Sequence, residues 1–133
     1  MLLEDFQSSH DGDKYFDNTT TGMPTPDDMM KSPEYFAQKK GKVFDLVYMS
    51  PDEYMQVVAD NFGGMRQAMS GVQDDLVDKY AQMMKDGSRA PMPTLDYRDG
   101  YFGQEGRNRA MAAKKIGVTS MPVMIMKDAP KPE

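Results

Sequence analysis

The sequence predicts an α+β fold, with a small mixed β-sheet, about three helices and an extended N-terminal arm in front of them. Residues 43–49 have the length, β-branching and aromatic content of a strand, and residues 121–126 are a second predicted strand in which Pro122 suits a strand start or an edge. Between them, apolar residues recur at helical spacing, and an Asp-Gly pair marks a hairpin. The element order is strand, helix, helix, hairpin, helix, strand, which is typical of an α+β domain. We expect this domain to span residues 43–126.

The N-terminal segment, residues 1–42, is predicted to be an extended or partly disordered arm. Residues 8–28 are mainly Ser, Asp, Asn, Thr, Gly and Pro, a composition that buries too little apolar surface to offset the cost of ordering. A short helix is expected near 33–40, after the break that a proline imposes. His10, the single histidine, has no candidate ligands nearby, so we expect it to face solvent.

The first strand of the domain, 43–49, leads into a strong helix-start signal. Ser50 is placed to cap the next turn, Pro51 suits the first helical position, and Glu53 completes a capping box. This helix should end before the two glycines that follow residue 62.

The middle of the chain predicts a second helix and a hairpin. After an uncertain connector at 65–70, residues 72–85 carry an apolar stripe with charges on the opposite face. A short strand at 94–97, a turn at Asp99–Gly100 and a return strand beginning at 101–102 follow.

The third helix is predicted at 107–116, between a glycine turn at Gly106 and a C-terminal glycine at Gly117. Lys114 and Lys115 fall in its last turn, where cations suit the helix dipole. The strand at 121–126 then closes the domain, and residues 127–133 are expected to form a solvated tail.

Arg107 and Arg109 are the least expected residues of this helix, because cations in a first turn gain nothing from the dipole. One interpretation is phosphate capture by the two guanidinium groups and the free N–H groups of the turn. The other is that they pair with Asp96, Asp99 or Glu105, or lie on a solvated face.

Three further residues of this region have expected roles. Glu105 is a candidate general base or magnesium ligand, although a partner that orients an arginine is the simpler interpretation. Asn108 is expected to make a polar contact to the hairpin. Lys114 serves first as a helix-end charge and second as a contact to phosphate or to a partner.

Whole-chain properties restrict the function classes. The 133 residues suit a single domain, and the net charge of −5 makes nucleic-acid binding unlikely. The chain has no cysteine, which excludes disulfides, thiolate metal sites and cysteine nucleophiles. No apolar run is long enough to cross a bilayer, and no secretory signal is visible, so we expect a cytoplasmic location or packaging inside a particle. Fifteen methionines indicate a soft core or contact surface.

Three stretches together carry a family resemblance. They are Glu105–Ala113 with Gly117, the strand Met121–Ile125, and the upstream Met49–Tyr54 after its strand. This pattern resembles the ParB/sulfiredoxin-like superfamily, in phage-type variants, over roughly 43–126.

The resemblance implies that the turn and helix start hold nucleotide phosphates. The candidate binding residues are Glu105, Gly106, Arg107, Asn108, Arg109 and Lys114. Candidate ligands are CTP, ATP or ADP with magnesium. Asn108 stands where many members have histidine, the cysteine of sulfiredoxins is missing, and no helix-turn-helix follows the motif. These departures remove the groups that catalysis would use most readily, so catalysis stays an open question.

Three function classes follow from these observations. The first is a phosphate- or nucleotide-binding domain. The second is a non-catalytic structural or interaction protein of a phage particle, with the N-terminal arm tethering it to a partner or to a second copy. The third, a nuclease role, is the weakest, because the chain is acidic and shows no metal-ligand cluster.

Overall fold

A computed structural model describes residues 10–17 and 42–128 and has the predicted α+β fold, with a four-stranded mixed sheet. The strands are β1 (Lys42–Met49), β2 (Thr94–Asp96), β3 (Gly103–Glu105) and β4 (Met121–Asp128). The helices are α1 (Pro51–Asn61), α2 (Met65–Met69), α3 (Asp74–Lys85) and α4 (Arg107–Lys115). Two short 3-10 turns cover Asp11–Lys14 and Arg98–Gly100. None of the helices in these two ranges is long and apolar enough to cross a membrane.

The sheet has the strand order β1-β4-β2-β3, so β4 is central. β1 pairs antiparallel with β4, from Lys42 opposite Asp128 to Met49 opposite Met121. β2 runs parallel to β4 and antiparallel to β3. The end of β3 therefore lies beside the start of β2, and α4 begins next to that pair.

The start of α1 has the predicted capping box. The Ser50 hydroxyl accepts a hydrogen bond from the Glu53 N–H, and the Glu53 carboxylate accepts one from the Ser50 N–H, both at 3.0 Å. One turn later Tyr54 is fully buried, and its hydroxyl donates to the carbonyls of Thr94 and Glu105. Burial, together with the charge of Glu105, raises the pKa of Tyr54. Tyr54 thus fixes α1 against the β2–β3 pair.

The core is rich in methionine and alanine. Six methionines have at most 2% of their surface exposed: Met55, Met84, Met92, Met121, Met124 and Met126. Three alanines of α4, at 110, 112 and 113, are completely buried, and their small side chains let α4 pack closely on its neighbours.

The hairpin turn is confirmed, with its return strand displaced. Asp99 and Gly100 both have positive φ, 60° and 75°, as the Asp-Gly pair predicts. The return strand lies at 103–105, instead of beginning at 101–102, because the chain makes a 3-10 turn before it resumes pairing.

The N-terminal residues that the structure describes pack on the domain instead of extending from it. The Gly12 N–H donates to the Ser120 carbonyl at 2.9 Å, and Phe16 is buried and forms a bridge to Ala90. His10 stacks on Tyr48, with ring centroids 3.6 Å apart, and bonds to the Ser120 hydroxyl. The expectation of a solvent-exposed His10 is wrong. The rest of the predicted arm and the helix near 33–40 lie outside the described residues, as does the tail beyond residue 128.

Candidate functional site

The turn between β3 and α4 needs glycine for two reasons. Gly106 has φ 127°, a conformation that residues with side chains rarely adopt. A Cβ at this position would lie 2.7 Å from Pro93, closer than atoms approach in proteins. The turn therefore brings the start of α4 directly against the segment before β2.

Arg109 points into the protein and is 5% exposed. Its Nε donates to the Pro91 carbonyl at 2.8 Å, and its Nη2 donates to the Met92 carbonyl at 3.3 Å. Nη1 and Nη2 also donate to the two carboxylate oxygens of Glu105. Burial alone would lower the pKa of Arg109, but Glu105 and Tyr80 raise it above its ordinary value. Arg109 thus joins α4 to the 91–92 segment, with Glu105 orienting it.

Arg107 packs over α2. Its Nη1 donates to the Ala68 carbonyl at 2.8 Å, and its guanidinium lies 5.6 Å from the centre of the Phe62 ring. The guanidinium also lies so close to Gly71 that any Cβ there would overlap it. A cation in this position suits the negative end of α2.

Asn108 contacts the loop between α2 and α3, so the expected contact with the hairpin is wrong. Its side-chain oxygen accepts from the Gln73 N–H at 2.8 Å, and its amide donates to the Gly71 carbonyl at 3.3 Å. Gln73 immediately precedes α3, and its own side chain provides no cap. Asn108 therefore satisfies a backbone donor at the start of α3.

The lysines at the end of α4 form ion pairs with other helices. Lys114 pairs with Asp52 of α1 at 2.7 Å, and Lys115 pairs with Asp78 of α3. Both are helix-end charges, as their sequence position indicates. Five of the six predicted site residues, 105–109, lie at or just before the start of α4. The sixth, Lys114, lies about two turns further along the helix.

Asp96, at the end of β2, is paired with an arginine of the hairpin and not with the arginine turn at residues 105–109. Arg98 makes a bidentate ion pair with Asp96, at 2.7 and 2.9 Å. Of the three carboxylates considered as partners for Arg107 and Arg109, Glu105 is the one that binds an arginine of this turn. In residues 10–17 and 42–128, no three His, Asp or Glu side chains converge in the way that a metal ion would require.

A groove of about 410 Å³ lies between α1, α2 and α4. Four methionines line it, Met55, Met65, Met69 and Met111, and we call it the methionine groove. Its polar lining residues are Asp52, Gln56 and Lys114. The volume lies within the range of ordinary ligand pockets, and the lining is mainly apolar.

The methionine groove differs from two other clefts of the described residues. One, of about 530 Å³, lies between α3 and α4 and is bordered by the Lys115–Asp78 ion pair. The other, of about 360 Å³, lies between residues 13–17 and β1. At its edge the Tyr48 hydroxyl donates to Asp13, and burial together with Asp13 raises the pKa of Tyr48 to about 12. None of the three clefts is lined by the residues of the arginine turn, 105–109.

The sequence prediction missed Met65 and Met69, because they fall in the connector at 65–70. The structure places a short helix there, with Met65 and Met69 exposed by 42% and 37%. Their four-residue spacing puts both on one side of α2 and is the signal that would have identified the groove.

The function has to be inferred from these contacts, because comparisons with known proteins found no match. The chain matches no family model and no curated protein, and no solved structure is significantly similar to it. The resemblance to ParB/sulfiredoxin-like proteins therefore stays a prediction.

Proposed function

We propose that this chain is a non-catalytic protein-interaction module that binds an amphipathic helix of a partner protein in the methionine groove. The observation that carries the proposal is the convergence of four methionines from three helices on one open groove. This is the second of the function classes that the sequence indicates.

The arginine turn supports a structural role more than a phosphate site. Four of the five N–H groups of Arg109 already donate to Glu105 and to two backbone carbonyls. Arg107 and Asn108 are bonded to the α2–α3 region. A phosphate would have to displace these contacts in a partly buried setting, which costs more than binding at free donors.

The groove favours an apolar ligand. Methionine side chains are flexible and polarizable, so they adapt to varied apolar surfaces. At the polar end of the groove, Asp52 and Lys114 neutralise each other. Because this pair carries no net charge, recognition there depends mainly on apolar burial, which contributes about 25 cal/mol per Å².

The walls of the groove favour a helix as the occupant. All three walls are helices, whose backbone N–H and C=O groups are largely bonded within each helix. An extended strand would find few backbone partners here, whereas a helix satisfies its own backbone. On the α1 side, Asp60 follows the groove residue Gln56 by one turn and is exposed, and its negative charge lies outside the neutral Asp52–Lys114 pair. We therefore expect a partner helix with an apolar stripe and basic residues along one flank.

The test is a titration followed by NMR of ¹³C-methyl-labelled methionine. The probe is a designed amphipathic peptide with a leucine stripe and lysines on one flank, and its control is a scrambled peptide of identical composition. We expect the probe to shift the methyl signals of the four groove methionines and to leave those of Met121 and Met124 in place. The scrambled peptide should shift none of them.

A matched pair of variants localises the binding. Met65→Lys places a charge in the groove, whereas Leu46→Lys alters a residue of nearly the same exposure on β1 (41%, against 42% for Met65). We expect Met65→Lys to weaken binding at least about tenfold and Leu46→Lys to leave it nearly unchanged. Parallel titrations of ¹⁵N-labelled protein with CTP, ATP and ADP plus magnesium test the phosphate interpretation through the backbone amides of residues 105–109. Shifts at the α4 start with nucleotide, and none in the groove with the peptide, would overturn the proposal.

A further inference from the structure

The described methionines differ sharply in exposure, with Met49, Met83 and Met111 between the two extremes. Six core methionines are at most 2% exposed, whereas Met65 and Met69 are 42% and 37% exposed. Both exposed residues line the methionine groove, and Met55, one of the six core residues, lies beneath them in the same lining. Solvent thus reaches methionine side chains of the groove far more than those of the core.

We propose that Met65 and Met69 are reversible oxidation sites and that their conversion to sulfoxide releases the partner from the groove. The release rests on the proposed function, whereas the selective oxidation does not. Oxidation of methionine depends on access of the oxidant to the sulfur, and these two sulfurs belong to the most exposed methionine side chains of the described residues.

The chemistry requires only a peroxide. A lone pair on the thioether sulfur attacks one peroxide oxygen, and an S–O bond forms as the O–O bond breaks. The leaving hydroxide takes the proton from the oxygen that is now bound to sulfur, which gives the sulfoxide and water. Sulfur is oxidised by two electrons, and the peroxide is reduced by two. The chain contains no cysteine, so no thiolate of its own competes for the oxidant.

The change alters the groove without removing its scaffold. A sulfoxide is polar and chiral, so two of them replace apolar lining with hydrogen-bond acceptors that an apolar stripe leaves unpaired. Between the two methionines, Ala68 is completely buried and its carbonyl is held by Arg107. Because α2 is anchored through Ala68, oxidation of the outward-facing residues should leave α2 in place.

The experiment treats the full chain with limiting hydrogen peroxide and maps the sites by mass spectrometry of peptides. We expect Met65 and Met69 to oxidise at least about tenfold faster than Met121, Met124 and Met126. The oxidised protein should bind the designed leucine-stripe peptide at least about tenfold more weakly. Methionine sulfoxide reductases A and B together should restore binding, because each reduces one epimer.

A double variant, Met65→Leu with Met69→Leu, separates oxidation from other damage. It keeps an apolar groove of similar volume, so it should bind the peptide and keep binding after peroxide treatment. Equal oxidation rates at core and groove methionines would overturn the assignment of the sites. Full oxidation of both residues with unchanged peptide affinity would overturn the switch.

The two proposals fail in different ways. If the untreated chain does not bind the peptide, the proposed function and the release both fail. The peptide map then still decides, by itself, whether Met65 and Met69 are selective oxidation sites.

Discussion

Replacing Arg109 by methionine distinguishes a structural role of the arginine turn from an anion-binding role. Methionine keeps much of the buried apolar stem of the arginine and removes all of its N–H donors. Pro91 and Met92 would each lose a donor to their backbone carbonyl, and Glu105 would lose its ion-pair partner.

The size of the effect follows from the burial of these groups. A buried acceptor left without a donor costs about 1–3 kcal/mol, and Arg109 serves the buried Met92 carbonyl and the part-buried Pro91 carbonyl. The side chain of Glu105 is 43% exposed, so water solvates it once the arginine is gone, and its ion pair contributes at most about 1 kcal/mol. We therefore expect the free energy of unfolding to fall by about 3 kcal/mol. For a chain of this size the melting temperature should fall by roughly 10 °C.

The assay is urea unfolding followed by circular dichroism, with a matched control. Arg98→Met removes another bidentate arginine–aspartate pair, but Arg98 and Asp96 lie on the exposed hairpin with 27% and 28% of their side chains exposed. That control should cost about 1 kcal/mol or less. A loss below about 1 kcal/mol for Arg109→Met, equal to that of the control, would refute the structural role.

Three further predictions concern contacts around the same framework. Asn108→Ala should destabilise the chain by about 1 kcal/mol and speed hydrogen exchange at the Gln73 amide, because that N–H loses its acceptor; unchanged exchange would contradict the capping role. Gly71→Ala should displace the Arg107 guanidinium, the far end of a flexible side chain, and lower the free energy of unfolding in the same urea assay by about 1 kcal/mol at most, because Arg107 gives up its hydrogen bond to the Ala68 carbonyl; a loss as large as that of Arg109→Met would contradict this expectation. Burial raises the pKa of Asp11, but hydrogen bonds from residues 119–120 lower it more, so the folded pKa lies below the ordinary value. The stabilisation that Asp11 contributes to the folded state is therefore complete above its unfolded pKa of about 3.9 and is lost as the pH falls through the lower folded pKa. Urea unfolding at several acidic pH values should show this loss in the native chain and a smaller one in Asp11→Asn, and identical pH dependence would count against it.

The sequence predicts elements well where local signals agree. The capping box before α1, the apolar stripe of α3 and the glycines around α4 each give a helix with correct type and nearly correct bounds. Strand β1 follows from its β-branched and aromatic residues, and β4 follows from an apolar segment that contains Val123 and Ile125. The short α2 was missed, because five residues carry little periodicity and its stability comes from contact with α1 and Arg107.

The roles in the candidate site were harder to predict for a physical reason. Arginines in a first turn look like anion ligands, because sequence alone does not show which carbonyls lie beside them. The carbonyls that bind Arg109 belong to residues 91 and 92, which lie 18 and 17 residues before Arg109 in the chain, just ahead of β2. Only the pairing of β2 with β3 and the Gly106 turn bring the two segments together. The alternative of a Glu105–Arg109 pair was visible in the sequence, because the two residues are four apart at the start of a helix.

The central position of β4 has a consequence for the order in which the protein can fold during synthesis. β4 is the last of the described elements to leave the ribosome, yet both β1 and β2 form their hydrogen bonds with it. Until β4 has been synthesised, β1 lacks, along its whole length, the strand that it pairs with in the complete sheet. Pairing across some 80 residues of intervening chain is slow, and an unpaired strand edge promotes aggregation while it lasts. A nascent chain stalled before residue 121 should therefore depend on chaperones far more than the released protein does.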